Sequence, residues 1–349
     1  VTRELERRAH EVTFGCRTGM DAVIARARQE GVGRISTFAF ASGLKPGRDV
    51  HDVRALSAAL AGVDVVHVHR GKEHWLAAVA NRVGTARRPL VRTRHIVQAV
   101  RPHAGNRWLY RHATDLVVTV SEAIRRQYVA SGLMPKTAVV AVPGGVDADR
   151  FRPRAADPSV RQRLGADGDT PLVGIVAGLR VMKGHATAVD AAARLDARGR
   201  GIRLAFVGQG RSEARIRRCV AQRGLDARVT LAGFAPDVPA AMAALDVALY
   251  VPLESEGMSR VVFEYLAAGR ALVAARTGVV PEILHDGEDA LLVPAGDAAA
   301  LADAIARLVA DDPLRIRLGA AARDLVEKRY SGARVAESLE GLYAGLLAR

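Results

Sequence analysis

The sequence predicts an α/β protein built as two doubly wound lobes, each a parallel sheet covered by helices on both faces. Three observations carry this. Short apolar runs alternate with longer amphipathic segments along all 349 residues, which is the rhythm that strand, helix, parallel strand produces. Pro and Gly punctuate the middle of the chain at Val142-Pro143-Gly144-Gly145-Val146-Asp147, and a polar stretch follows at 149–157, so a domain boundary belongs there. No fixed-period repeat or low-complexity tract competes with this reading.

Taken in order, residues 3–8 look like the tail of a helix, and strands are expected at 12–16, 35–40, 63–68, 89–93, 116–120 and 138–142. A doubly wound lobe ordinarily begins one strand and one Gly-rich turn earlier, so that strand and loop are expected to be missing from the sequence given. After the boundary, strands are expected at 172–177, 203–207, 229–232, 247–251, 271–275 and 290–293. Helical patterns fill the gaps. In the one at 186–195, Val189 and Ala193 recur at helical spacing before Gly199 and Gly201 end the run. The lobes are thus 1–145 and 146–333.

With 49% hydrophobic and 25% charged residues, disorder and collagen-like structure are excluded. The two cysteines, Cys16 and Cys219, stand far apart with no metal-ligand spacing, which points to a reducing compartment and no structural zinc. The apolar stretch 241–253 is interrupted by Asp246 and falls short of the roughly 18–20 residues that cross a bilayer. No secretory pattern opens the chain, and a cytoplasmic location is expected. The net charge of +14 is uneven: residues 1–150 hold 24 Lys and Arg against 13 Asp and Glu, a net +11. No acidic residue occurs between His74 and Thr114, where Arg82, Arg87, Arg88, Arg92, Arg94, Arg101, Arg107 and Arg111 fall. This field suits an anionic partner, namely nucleic acid, a phospholipid surface or a phosphorylated acceptor; a merely solvated Arg-rich face explains it equally well.

Open parallel sheets bind ligands at the carboxyl ends of their strands. The strand at 172–177 runs into Gly178-Leu179-Arg180-Val181-Met182-Lys183-Gly184-His185, two cations and two glycines at a strand-to-helix turn. Glycines admit a phosphate close to the backbone, a helix start supplies free N–H groups, and Arg180 and Lys183 neutralise charge, so the turn favours a diphosphate. Two surface cations beside a turn remain the alternative. The strand at 247–251 is followed by Glu254-Ser255-Glu256-Gly257-Met258-Ser259 and a helix carrying Glu264 among apolar residues. A carboxylate there must be paired or must accept hydrogen bonds, and sugar hydroxyls are suitable donors. A buried salt bridge for Glu264 and a solvated Glu256 are not excluded by spacing.

These residues resemble the retaining glycosyltransferases of family 4, also called group 1, which have the GT-B fold of two Rossmann-like lobes with an interlobe cleft. The resemblance rests on Glu256 and Glu264 with seven residues between, on Arg180 to Gly184, on Asp115-Leu116-Val117-Val118-Thr119-Val120-Ser121-Glu122, and on Pro143-Gly144-Gly145-Val146-Asp147 with Phe151. It implies that Arg180 and Lys183 bind the donor diphosphate, Glu264 the ribose, and Glu256 the transferred sugar, helped by the amides of Gly257, Met258 and Ser259. It further implies that His95 lines the sugar pocket from the first lobe, that Gly178 and Gly208 belong to nucleotide-side turns, that Phe234 meets the base, and that 334–349 returns to the first lobe. On the acceptor side, His69, Arg70 and Arg94 are candidates within His67-Val68-His69-Arg70-Gly71-Lys72 and Arg92-Thr93-Arg94-His95.

Gly144 departs from the family pattern, which has Asn there, and the family's amino-terminal Gly-rich loop is not found. Asp147-Ala148-Asp149 spells the metal-binding Asp-x-Asp of unrelated glycosyltransferases, but in an interlobe linker and with Arg180 and Lys183 already supplying positive charge no metal is expected, nor any cofactor beyond the nucleotide sugar as co-substrate. The expected partners are a nucleotide sugar, an anionic glycan or lipid-linked acceptor of lipopolysaccharide or cell-surface polysaccharide synthesis, and peripheral contact with the inner face of an anionic membrane, with no nucleic acid. Rival readings are a basic nucleic-acid-binding protein, disfavoured by 4% aromatics and the lack of any known module, and a sugar-nucleotide epimerase or inactive sugar-binding relative of the same fold.

Overall fold

The apolar runs become strands and the amphipathic segments become helices. In the computed structural model, which describes residues 1–96, 98–166, 168–255 and 259–349, the chain divides into two units: Val1–Gly144 with Gly332–Arg349, and Gly145–Ser331. The first contains α1 (Thr2–Arg7), β1 (Thr13–Arg17), α2 (Asp21–Gln29), β2 (Arg34–Phe38), α3 (Pro46–Leu60), β3 (Val66–Val68), α4 (Gly71–Val83), β4 (Leu90–Arg94), α5 (Ala104–His112), β5 (Leu116–Thr119), α6 (Glu122–Ala130) and β6 (Val139–Ala141). All pairs are parallel, but the strands form two sheets, β1-β2 and β3-β4-β5-β6. The expected single sheet is therefore split. The reason shows in burial: β1 buries only Cys16 and β2 only Phe38, whereas β4 buries Leu90–Thr93 and β5 its whole length. β3 also starts at Val66, later than the expected 63, because Val63 N–H still donates to Leu60 O in the turn that ends α3.

The second unit contains α7 (Pro158–Arg163), β7 (Leu172–Val176), α8 (His185–Ala197), β8 (Arg203–Val207), α9 (Glu213–Gln222), β9 (Val229–Gly233), α10 (Val238–Ala243), β10 (Val247–Tyr250), α11 (Arg260–Ala267), β11 (Ala271–Ala275), α12 (Val280–Ile283), β12 (Leu291–Val293), α13 (Ala298–Ala310) and α14 (Asp312–Leu325). One parallel sheet has the order β12-β11-β10-β7-β8-β9. Every residue of β7 is buried, as a central strand covered on both faces requires. Alternation sorts its side chains: Leu172 and Val176 enter one core with Phe263 and Tyr265, while Val173 and Ile175 enter the other with Val189 and Leu195. Gly174 has no side chain because Leu245 occupies the space; a Cβ there would lie 2.5 Å from Leu245 Cδ2.

Helix α15 (Gly332–Leu347) belongs to the first unit. Its Val335, Leu339 and Leu346 pack against Val91, Leu116, Val118 and Val142. Glu340 accepts from Arg8 and is bonded to His10, and Tyr343 Oη lies 2.5 Å from His67 Nδ1.

The same device pins a strand start in each unit. Asp115 N–H donates to Leu90 O and its carboxylate accepts the Leu90 N–H at 2.8 Å and Arg87 at 3.0 Å. Asp246 N–H donates to Leu172 O, and its carboxylate accepts the Leu172 N–H at 2.7 Å and both Nη atoms of Arg161 at 3.2 and 3.1 Å. The charge that breaks the apolar stretch 241–253 thus ties β10 to β7. Replacing Asp246 with Ala leaves a strand N–H and an arginine without their acceptor, and should lower unfolding free energy by about 2–4 kcal/mol in a urea melt; a loss within about 0.5 kcal/mol would show the clamp to be idle.

Two histidines are buried. His74 Nε2 lies 2.8 Å from Thr114 Oγ1, and burial, with Arg92 adding to it, pulls its pKa down from 6.5 to about 3. His185, edge-on to Phe206, is pulled down to about 4, chiefly by burial. Protonation therefore favours the unfolded chain. Stability should be intact above pH 6.5 and should fall as the pH drops toward 4, by on the order of a few kcal/mol between the two groups. Melts across that range check this; a flat profile with His74→Gln and His185→Gln unchanged from the parent would contradict it.

Candidate active site

In an open parallel sheet the room for a ligand lies where the strand order reverses. In the second unit that point is between β7 and β10, since β7-β8-β9 proceeds one way from it and β10-β11-β12 the other. β7 pairs with β8 over five positions but with β10 over two, Val247↔Val173 and Ala248↔Gly174. The strands part toward their carboxyl ends. The Val176 N–H on the parted side donates to the Tyr265 hydroxyl at 2.6 Å. Tyr265 is fully buried in α11, and burial pushes its hydroxyl pKa up, so it stays a neutral acceptor. Since Glu264 precedes it directly, this bond fixes the helix that carries Glu264 against the end of β7.

Three loops then interlock. Leu179 N–H donates to Gln209 O at 3.0 Å, Ser212 N–H to Leu179 O at 3.1 Å, and Leu253 N–H to Met182 O at 2.9 Å. The loops after β7, β8 and β10 therefore form one surface. Their closeness demands glycine: a Cβ would lie 1.8 Å from Val251 O at Gly184, 2.1 Å from Ala177 O at Gly208, and 2.3 Å from Leu179 O at Gly210. Gly184 (φ 73°) and Gly208 (φ 146°) also hold backbone angles that other residues resist.

On this surface Arg180 is exposed and Lys183 half-buried, flanking a short 3₁₀ turn, Val181–Lys183, that ends at Gly184. α8 starts there with no side-chain cap, so its first N–H groups have no side-chain acceptor and its positive dipole end is open. Gly178 is exposed, and Phe234 is 72% exposed directly after β9. Glu264 is half-buried, and Ser259 N-caps α11 without a side-chain bond. The structure thus brings Gly178, Arg180, Lys183, Gly208, Phe234, Ser259 and Glu264 to the ends of adjacent strands. Glu256, Gly257 and Met258 lie outside the described residues. Asp147 Oδ1 accepts from Asp149 and Arg150 N–H, shaping a turn.

Sequence reasoning gave no role to Tyr265 or His185. Tyr265 reads as one more core aromatic. His185 sits beneath the Arg180–Lys183 turn, 2% exposed; a histidine opening a helix after Lys-Gly was the available signal.

In the first unit His69 and His95 follow β3 and β4, with His69 Nδ1 3.1 Å from His95 Nε2. His69 stacks on His67, ring centroids 4.6 Å apart, and His67 Nε2 reaches Thr93 Oγ1 at 2.6 Å. His69 and His95 are partly open to solvent, yet desolvation first, and then Arg92, lower both rings, His69 to about 4 with His95 contributing. The histidines of the segment 67–75 therefore add no charge to it near pH 7. Lys72 is also engaged, by Asp49 at 2.7 Å and by the Ala41 and Gly43 carbonyls. Arg70 is exposed, 3.7 Å from Glu73, and Arg94 donates to Gln98 O.

Residues 157–325 match the family described as glycosyl transferases group 1, and residues 1–150 match glycosyltransferase family 4. The D-inositol 3-phosphate glycosyltransferase of Acidothermus cellulolyticus is 32% identical over 312 residues, 82% of this chain and 68% of its own. The alpha-D-kanosaminyltransferase of Streptomyces kanamyceticus is 29% identical over 68% of this chain and 63% of its own, and a GDP-mannose-dependent alpha-(1-6)-phosphatidylinositol monomannoside mannosyltransferase of Mycolicibacterium smegmatis is 33% identical over 65% and 62%. The chain spans under two thirds of the length of these last two relatives. Among solved structures, a glycosyltransferase from Rickettsia africae superposes with TM-score 0.87 at 18% identity, covering 99% of this chain and 93% of that one. HepE of Anabaena, in complex with UDP, gives 0.79 at 21% identity over 93% and 89%. Family matches over residues 1–150 and 157–325, with 32% identity to a relative over 82% of the chain, make this chain a member of the group 1, family 4 glycosyltransferases, and its two Rossmann-like units of parallel sheet have the GT-B fold.

Proposed function

We propose that the chain transfers a sugar, with retention of anomeric configuration, from a nucleoside-diphosphate sugar to an anionic glycan or lipid-linked acceptor in lipopolysaccharide or cell-surface polysaccharide synthesis. The observation that carries this is the interlocked surface at the end of β7, where two cations, an open helix start and a carboxylate helix meet. Names of relatives support the substrate classes: inositol 3-phosphate, a phosphatidylinositol mannoside and lipopolysaccharide core occur among them, and HepE was solved with UDP-glucose.

In this reading Arg180, Lys183 and the first amides of α8 hold the diphosphate, with Gly178 and Gly208 admitting it to the backbone. Glu264 accepts the ribose hydroxyls, and exposed Phe234 offers a face to the base. Glu256, Gly257, Met258 and Ser259 grip the transferred sugar, an assignment that rests on the family resemblance. By the same resemblance His95 meets the transferred sugar, and His69, Arg70 and Arg94 meet the acceptor. As the bond from anomeric carbon to phosphate oxygen breaks, the acceptor hydroxyl oxygen bonds to that carbon on the same face, and its proton passes to the departing phosphate. Negative charge grows on the diphosphate, and fixed donors stabilise it without reorganising. The reading gives no role to a metal ion or further cofactor. The chain acts in the cytoplasm, at the inner face of the membrane; no helix among the described residues is long and apolar enough to cross one.

Lys183→Ala and Glu264→Ala should each slow nucleotide-sugar turnover by about 100-fold or more. A panel of UDP-, GDP- and ADP-sugars, screened by the rise in melting temperature that ligand binding causes, identifies the donor to use. Rates near those of the parent in both variants would refute the site.

A further inference from the structure

We propose that the carboxyl end of β4 in the first unit is a phosphate-binding site centred on Arg92, and that it receives the phosphate of a phosphorylated acceptor. This deepens the acceptor-side reading above and rests on it for the ligand's role.

Arg92 is 3% exposed, and among the described residues its buried Nε and Nη1 have no hydrogen-bond partner. Two residues on, and so on the same face of β4, Arg94 also has a buried Nε without one. Among the described residues no carboxylate forms an ion pair with Arg92. The groups around it do not supply one: Tyr110 and Tyr128 are hydrogen-bonded to each other at 3.1 Å, and Glu73, whose pull on Arg92 is weaker than theirs, lies 3.7 Å from Arg70 Nε. A buried charge without a counterion is among the costliest arrangements a protein interior can hold. A bound anion resolves it.

The fold prepares the surroundings. In the order β3-β4-β5-β6, β4 lies between β3 and β5, and helices of 13 and 9 residues, α4 and α6, begin just beyond the carboxyl ends of those two neighbours. α4 starts without a side-chain cap, whereas the start of α6 is capped by Ser121, whose Oγ accepts from the Ile124 N–H at 3.2 Å. Nearby His69, His74 and His95 all feel the charge of Arg92 and are pulled below their ordinary pKa, chiefly by burial, so near pH 7 they add no repulsion to an arginine that lacks a counterion. Unmet donors on two arginines stand beside the uncapped start of α4. They match the three terminal oxygens of a phosphate monoester.

The experiment uses the full chain and inorganic phosphate, by calorimetry and by thermal melts. The parent should bind phosphate and melt higher in its presence. Arg92→Met should lose phosphate affinity by about 30-fold or more, yet melt no lower than the parent without phosphate, because it removes an uncompensated buried charge. Its stabilisation by the nucleotide sugar should persist. If Arg92→Met does not fold, Arg94→Ala, on the more open side chain, should weaken phosphate binding on its own. Phosphate affinity unchanged in both variants, or no phosphate binding by the parent, overturns the proposal. Failure of the nucleotide sugar to stabilise the parent would instead sink the donor reading and leave the phosphate result standing. Vesicles of phosphatidylcholine with and without phosphatidylglycerol distinguish the source: Arg92-dependent vesicle binding marks a lipid headgroup, and phosphate binding without it marks a soluble phosphorylated sugar.

Discussion

How closely three turns approach one another at the end of β7 governs the second unit. Gly184, Gly208 and Gly210 each stand where a single added carbon would meet a carbonyl of another turn. Such contacts leave no slack, so the loops inherit the rigidity of the sheet, and side chains mounted on them start from fixed positions. Gly178 differs. A Cβ there would come no nearer than 3.6 Å to Gln209 O, an ordinary contact, and its φ is not in the left-handed region. Among the described residues nothing requires glycine at 178. A ligand that must reach the backbone would require it, and the proposed diphosphate is such a ligand.

The two ends of the sheets are treated oppositely. At the amino ends, Asp115 and Asp246 use their carboxylates fully on strand N–H groups and arginines. Toward the carboxyl end of β4, Arg92 is buried with capacity unmet among the described residues. Stability is concentrated where partners are complete. Where they are incomplete the fold gives up some stability, and a ligand that supplied the missing partners would bind the folded state selectively.

Much of the fold was legible because central parallel strands are apolar on both faces, and runs such as Leu172–Val176 and Ala271–Ala275 announce themselves. What was not legible was the split of the first sheet, since β1 and β2 carry plausible strand residues and only their partners decide which sheet they join. In the site, Arg180, Lys183 and Gly208 could be read from their place after a strand. Tyr265 could not, because a hydroxyl that bonds a backbone amide of another element looks the same in sequence as any core aromatic. Arg92 was hidden for a related reason. It stands among eight arginines in a stretch without acids, and in sequence a charge run reads as one solvated field.

That field separates into distinct roles once each side chain is placed. Arg87 closes the Asp115 clamp, Arg88 donates to Ala61 O, and Arg111 donates to Gly132 O. These three serve the fold. Arg82, Arg101 and Arg107 are exposed and can act at long range, drawing an anionic molecule toward the unit at a rate that salt would diminish. Arg92 can do neither, being buried and without an anion of its own. A net charge of +11 over 150 residues therefore combines scaffold with the steering and recognition proposed here, and these differ in what removes them. Salt screens the second, while Arg92, shielded from solvent, yields only to substitution of the residue itself.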